Sequence, residues 1–305
     1  MLDNDSFNLE KLDLFWWFIH ERQTIWYKRY VQKSKYPWTK DLVMQKERFT
    51  NVYRELDPGT QYAIKNILEI NAQKSDKVFN IMIYRLIGKS ETHAAIGFQK
   101  LKEFDPKLLE TRLKHIRDVE KKKVFTAAYM VGGYSKMGSR DKIENIVRLF
   151  TSLQEDFNNF YKRIDSCKSS EEVYNVIRSV YGFGNFLAYQ VLVDLLYSLK
   201  VYDYKPLLPY SHNDWSSAGP GAKLGISILI KSQVKTNNLE IMRWLHQNQD
   251  KEFKRLNLEF EYLKDQKGNK IGLSLANMQN CLCEFHKYVK INNGTGRGRR
   301  KFVSS

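Results

Sequence analysis

The sequence predicts a mostly α-helical protein with one small β-hairpin near its C-terminal end. Three observations carry this expectation. Apolar residues recur at helical spacing along most of the 305 residues. Short glycine- and proline-containing breakers separate these runs. One stretch, residues 258–274, alternates as paired strands do.

Taken in order, residues 14–30 place Phe15, Phe18, Ile19, Trp26 and Tyr30 on one helical face. Residues 45–56 repeat the pattern with Phe49, Val52, Tyr53 and Leu56. Further helices are expected near 60–72, 76–87, 106–130, 139–165, 170–180, 185–199, 221–232, part of 238–262, and 274–291. The breakers are Asp57-Pro58-Gly59, Gly132-Gly133, Gly182-Phe183-Gly184 and Gly219-Pro220-Gly221. The hairpin pairs Leu258–Tyr262 with Lys270–Ser274 across a Lys267-Gly268-Asn269 turn. Residues 1–293 are expected to form one globular helical unit. It could divide into two helical subdomains around a central cleft, with the hairpin motif at about 171–199. Residues 294–305 read as a basic flexible tail.

Composition removes several classes. Hydrophobic residues make up 42% and aromatics 13%, too rich for a disordered chain. No run of 18 apolar residues occurs, so no membrane helix is expected. The acidic-polar start lacks a secretory layout, which points to the cytoplasm. Cys167, Cys281 and Cys283 fit no zinc or iron–sulfur spacing, and the histidines show no metal-ligand spacing. No metal and no cofactor are expected. The net charge of +16 points to a polyanion, nucleic acid first. A monomer is expected.

Chemistry concentrates in a few places. Val173, Val176, Ile177 and Val180 line one helix, which runs into Gly182-Phe183-Gly184. Asn185 opens a second apolar helix. Two glycines around one apolar residue allow a tight helical hairpin, and their exposed N–H groups suit a DNA phosphate. Gly219, Gly221 and Lys223 form a second candidate phosphate site before a helix. The hairpin resembles the helix-hairpin-helix motif of DNA glycosylases. That resemblance implies a glycosylase-like helical fold and a catalytic aspartate downstream. Asp214, within His212-Asn213-Asp214, is the candidate, with His212 as a proton donor. A fixed carboxylate there would stabilise an oxocarbenium-like sugar. The alternative is that Asp214 caps a helix. The lysine of the bifunctional members is replaced by Phe186.

Arg22 falls at the centre of the apolar face of 14–30, with Arg29 beside it. A buried arginine needs an anionic or hydrogen-bonding partner. The side chain either pairs with an internal acid such as Asp57, or snorkels at the rim of the face, or binds the phosphate or modified base of a substrate. Asn51 and Arg54 lie one turn apart on the polar face of 45–57, and Trp38 offers a stacking wall.

The blocks FWWFIHERQTIWYKR, PWTKD and RFTNVYRELDPGTQ resemble the helical DNA-base-modification family of α-glutamyl/putrescinyl thymine pyrophosphorylases. That family includes phage amino-acid:DNA transferases and domains associated with hydroxymethyluracil DNA kinases. The likeness continues through Phe186–Gln190 with Asp194, and through Asn213-Asp214-Trp215 to Gly221. It implies a pocket built by Arg48, Asn51, Arg54 and Asp57. Gln190 and Asp194 share a face of the second hairpin helix, and Asp194, costly within the apolar run 191–196, is a candidate pocket and catalytic carboxylate; Asn213 is a further pocket candidate. Double-stranded DNA with modified bases is the implied partner.

The leading expectation is a monofunctional DNA N-glycosylase that excises a bulky modified pyrimidine, such as glucosylated hydroxymethylcytosine, in antiphage defence. The alternative is a transferase that replaces pyrophosphate on 5-hydroxymethyluracil in DNA with an amino acid or polyamine. Both would flip the base out of the duplex. A non-catalytic DNA-binding module is the third reading. No G-x-x-x-x-G-K-[ST] loop is present. The charge sorts accordingly: Lys121–Lys123 and Arg297–Lys301 serve general DNA attraction, while Arg22, Arg29 and Arg54 select the substrate.

Overall fold

The computed structural model describes residues 2–197, 206–296 and 302. Among them are thirteen α-helices and one two-stranded antiparallel sheet, so the mostly α fold with a small C-terminal hairpin is as expected. The described residues fall into two compact units. One holds residues 2–57, 212–296 and 302; the other holds 58–197 and 206–211.

The first unit begins with α1 (Leu9–Trp26), started by Asn8, whose side chain accepts from the Lys11 N–H. Its apolar stripe buries Leu12, Phe15, Trp16, Phe18 and Ile19. A wider helical turn, Tyr27–Val31, extends it. α2 (Leu42–Lys46) is short. Later come α11 (Pro220–Leu229), α12 (Asn238–Arg255), β1 (Leu263–Lys264), β2 (Lys270–Ile271) and α13 (Leu275–Asn292). The core is aromatic: Phe15 and Phe18 meet Phe285, and Trp16 meets Phe253, edge-on or tilted at 5.1–5.7 Å. Each such ring contributes roughly 1.5–3 kcal/mol by burial. α11 and α13 pack backbone to backbone, because a Cβ at Gly225 would overlap the Leu282 carbonyl. The hairpin is shifted from the expectation: residues 258–262 form no strand, and the pairing sets Leu263 opposite Ile271 and Lys264 opposite Lys270.

The second unit contains α3 (Pro58–Ala63), α4 (Lys74–Ile87), α5 (Ser90–Ile96), α6 (Pro106–Asp118), α7 (Lys142–Glu155), α8 (Phe157–Ser166), α9 (Ser170–Arg178) and α10 (Asn185–Leu195). Phe79 anchors its core against Phe104, Phe150 and Phe157. The helix expected over 106–130 stops at Asp118, and Lys121 takes a left-handed backbone with φ 54°. The helix expected over 139–165 is two helices, broken at Asp156. The expected helical hairpin forms: α9 and α10 are joined by a turn in which Gly182 has φ 89° and Phe183 is fully buried. Only a residue without a Cβ fits at Gly182, which also abuts Leu149 and Tyr134. Residues 198–199 of the expected 185–199 helix lie outside the described residues.

The largest departure is the helix expected over 45–56. α2 ends at Lys46, Glu47 turns into extended backbone, and only Arg54–Leu56 form a single tight turn. The reason lies in its hydrogen bonds. Thr50 N donates to Glu284 Oε2 (3.3 Å), Asn51 N to Asp57 Oδ1 (2.9 Å) and Arg54 N to Asn277 Oδ1 (3.0 Å). Side chains thus take the peptide groups that a helix would have paired internally.

Candidate functional site

The irregular segment 47–57 is the centre of a polar cluster in the first unit. α1 supplies Arg22 to it, and α13 supplies Asn277, Asn280, Cys281 and Glu284. The Arg22 guanidinium, 5% exposed, donates through Nη2 to the carbonyls of Thr50 (2.6 Å) and Asn51 (3.2 Å). It also lies 3.5 Å from Cys281 Sγ and 4.9 Å from the centre of the Phe18 ring. Asn280 Nδ2 donates to Thr50 Oγ1 (3.0 Å) and Asn51 O (3.2 Å). Asn51 Nδ2 donates to Leu56 O (2.9 Å). The cost of burying Arg22 is therefore offset by carbonyl acceptors. Its direct contacts are with this chain, so it holds residues 50–51 in place.

Two carboxyls sit in the same cluster. Burial pushes Asp57 up to about 6, while the Asn51 N–H and the charges of Arg54 and Arg22 pull it down. Burial also raises Glu55, opposed by its backbone, Asn277 and Arg54. A carboxyl near 6 can hold or release a proton close to neutrality. The thiols are a different case. Burial pushes Cys283 up to about 11 and raises Cys281 despite Arg22, so neither is a ready nucleophile. Arg54 is buried beside Asp57 and Glu55. Arg48 is exposed, and its carbonyl accepts from Lys287 Nζ at 2.6 Å.

The amino end of α11 packs on this same α13. Gly219 is its N-cap, and a Cβ on Gly221 would overlap Cys283 Sγ. Lys223 is exposed. His212, Asn213 and Asp214 form a separate turn, and Asp214 is exposed. Asn213 Oδ1 accepts from Leu275 N at 3.2 Å, and the Asp214 carbonyl accepts from Arg243 Nη2 at 3.3 Å. α11 starts six residues later at Pro220, so Asp214 is not its cap. Arg29 and Trp38 belong to a second cluster. Arg29 lies 5.0–5.4 Å from the rings of Tyr30, Trp38 and Phe302. Phe302, within the expected flexible tail, stacks on Tyr36, and its N–H donates to Lys46 O. Arg297–Lys301 lie outside the described residues.

The remaining candidates lie in the second unit. Asp194 is fully buried in α10, and both of its oxygens are held by Arg85 of α4. Gln190 is buried one turn earlier. Gly184 is the N-cap of α10, and Asn185 Oδ1 accepts weakly from Arg178 at 3.4 Å. Among the described residues no group of three or more His, Cys, Asp or Glu could hold a metal ion. No helix among them is long and apolar enough to cross a membrane.

Sequence reasoning missed Glu55 and the contribution of α13. A signal existed: Asn277, Asn280, Glu284 and Lys287 recur at steps of three and four along a helix whose opposite face is apolar, with Met278, Leu282, Phe285 and Val289.

The chain matches the family model described as "5-hmdU DNA kinase, helical domain" over residues 9–298. A curated relative, the 5-hmdU DNA kinase of Bacillus phage SP10, is 30% identical over 293 residues. The match covers 90% of this chain and 44% of the relative, so the chain spans less than half of the relative's length. No solved structure matches. These comparisons overturn the leading expectation of an N-glycosylase, since the relative's name is that of a kinase acting on hydroxymethyluridine DNA. The role of Asp214 as a stabiliser of a departing sugar cation falls with it, and hydrolase and antiphage readings gain no support. The base-modification resemblance is the part that stands: the chain belongs to the family of 5-hmdU DNA kinase helical domains.

Proposed function

We propose that this chain handles the flipped-out base in an enzyme that modifies 5-hydroxymethyluracil in DNA. Within that reading, the chain carries out a displacement at the 5-methylene carbon. The family match across residues 9–298 is the observation that carries it. The absence of a G-x-x-x-x-G-K-[ST] loop favours displacement over phosphoryl transfer in this part of the enzyme.

The polar cluster of the first unit suits this step. The amine nitrogen attacks the methylene carbon, the carbon–oxygen bond to pyrophosphate breaks, and pyrophosphate departs with the electron pair. The proton lost by the amine passes to Asp57, whose affinity is raised by burial to about 6. Arg54, beside Asp57, supplies positive field for the departing anion. Arg22 acts indirectly, by fixing the Thr50 and Asn51 carbonyls that shape the segment.

The test uses DNA carrying pyrophosphorylated 5-hydroxymethyluracil, incubated with the full chain and a panel of amino acids and polyamines. Mass spectrometry of the released nucleosides should show an amine adduct and free pyrophosphate. Unchanged nucleosides with every amine would refute the displacement reading.

A further inference from the structure

A cleft of about 790 Å³ in the second unit is lined by Arg117, Lys121, Lys122, Lys123, Arg140 and Lys142 around Val124 and Phe125. Its single acidic lining residue is Asp141. Its cations divide into two kinds. Arg117 is held by Asp118 and Asp141, and Lys122 by Glu120. Lys142 Nζ donates to Val131 O at 2.7 Å and lies 4.4 Å from the Phe125 ring centre. Burial holds that ammonium below its ordinary range. These three build the wall and floor.

Lys121, Lys123 and Arg140 are exposed, and among the described residues no ion pair holds their side chains. Asp118 interacts with Lys121 only at longer range. α6 ends at Asp118, Lys122 N donates back to Ile116 O at 2.9 Å, and Lys121 adopts the left-handed backbone that lysine seldom takes. Val124 is buried beneath, and its carbonyl accepts from Thr92 Oγ1, which anchors the end of the lysine run.

We propose that this cleft grips the phosphate backbone of the DNA substrate, with Lys121, Lys123 and Arg140 as the contacting groups. The inference rests on the DNA reading above and adds where the second unit holds the strand. Three exposed cations spread around an apolar floor match the repeated single charges of a polymer. A discrete small anion would call for convergent, fixed donors.

The experiment compares two triple variants of the full chain. One is Lys121→Gln with Lys123→Gln and Arg140→Gln. The other, Lys102→Gln with Lys107→Gln and Lys168→Gln, removes the same charge from exposed positions away from the cleft. Fluorescence anisotropy follows binding to a labelled hydroxymethyluracil duplex between about 50 and 200 mM salt. Loss of three phosphate contacts should lower the slope of log K against log salt by about 2.7. Affinity should fall roughly ten- to hundredfold at the midpoint of that range. The control triple should keep the parental slope. Equal effects from the two triples, or an unchanged slope in the first, would overturn the cleft while leaving the DNA reading intact. A parent protein that binds no DNA at low salt would overturn both.

Discussion

Replacing Asp57 by Asn removes a charge and little else. Asparagine keeps the oxygen that accepts from the Asn51 N–H at 2.9 Å, and it matches the shape of a protonated aspartate. Burial raises Asp57 from 3.8 to about 6, against the pull of that N–H and of Arg54 and Arg22. Two units correspond to about 3 kcal/mol set against the folded state once the carboxyl ionises. Partial contact with solvent trims this to about 1–3 kcal/mol. Between 3.8 and about 6 the folded chain binds the proton more tightly than the unfolded chain. Stability therefore falls as pH rises through that window and levels off above it. In the Asp57→Asn variant this loss disappears. The variant should match the parent near pH 4 and exceed it by about 1–3 kcal/mol near pH 8. Urea titrations at a series of pH values measure the difference. Amine transfer, which needs the ionised carboxylate, should be lost in the same variant. A stability difference that does not vary with pH, or a variant weaker than its parent at alkaline pH, would refute the reasoning.

Three other outcomes are expected. Gly225→Ala forces α11 away from the Leu282 carbonyl and should cost about 1–3 kcal/mol, read as a lower thermal midpoint; an unchanged midpoint would contradict the close packing. Asp194→Asn leaves Arg85 buried without its counter-charge and should cost about 3–5 kcal/mol, whereas Arg85→Met with Asp194→Leu should recover most of it in the same denaturation assay. His93, fully buried with its Nδ1 on the Tyr62 hydroxyl at 2.9 Å, is depressed by burial to about 4. Its contribution is present above the ordinary 6.5 and lost as pH falls towards 4, so His93→Gln should gain stability relative to the parent as pH falls through that window in pH-resolved denaturation.

The helices near 14–30, 76–87, 170–180 and 274–291 were legible because each carries its own one-faced apolar stripe. The helical hairpin was legible because Gly182 and Phe183 have local jobs, a left-handed turn and a core plug. Residues 45–56 failed for the opposite reason. The apolar stripe is real: Val52 and Tyr53 are buried, and Phe49 packs on Phe18 and Tyr288. What decided the backbone was Glu284 and Asn277, more than 220 residues away, together with Arg22. Periodicity cannot see such partners. The same limit applied to Arg22, whose position on an apolar face signalled a costly charge but not the carbonyls that receive it. The function was half legible. The blocks around Arg22 and Asp57 indicated base modification, but an excising pocket and a modifying pocket demand the same flipped base, and the hairpin tilted the reading towards excision.

Asp57 and His93 together bear on how the chain's acid response is to be interpreted. Their terms run in opposite directions over nearly the same window: Asp57 favours the folded chain as pH falls from about 6, and His93 disfavours it as pH falls from 6.5. Each shift is close to two units or a little more, so in a single unfolding transition the two slopes nearly cancel. A flat parental profile between about pH 4 and 6 is then the sum of two large opposed contributions. Asp57→Asn would unmask a stability that rises with pH, and His93→Gln one that falls. The two residues also lie in different compact units. If those units unfold separately, the cancellation disappears from the parent itself: the transition of the unit holding Asp57 strengthens on acidification while that of the unit holding His93 weakens. Because Glu55, His20 and His286 are shifted as well, comparing the parent with Asp57→Asn and with His93→Gln isolates each residue's term and reports whether the two units unfold together.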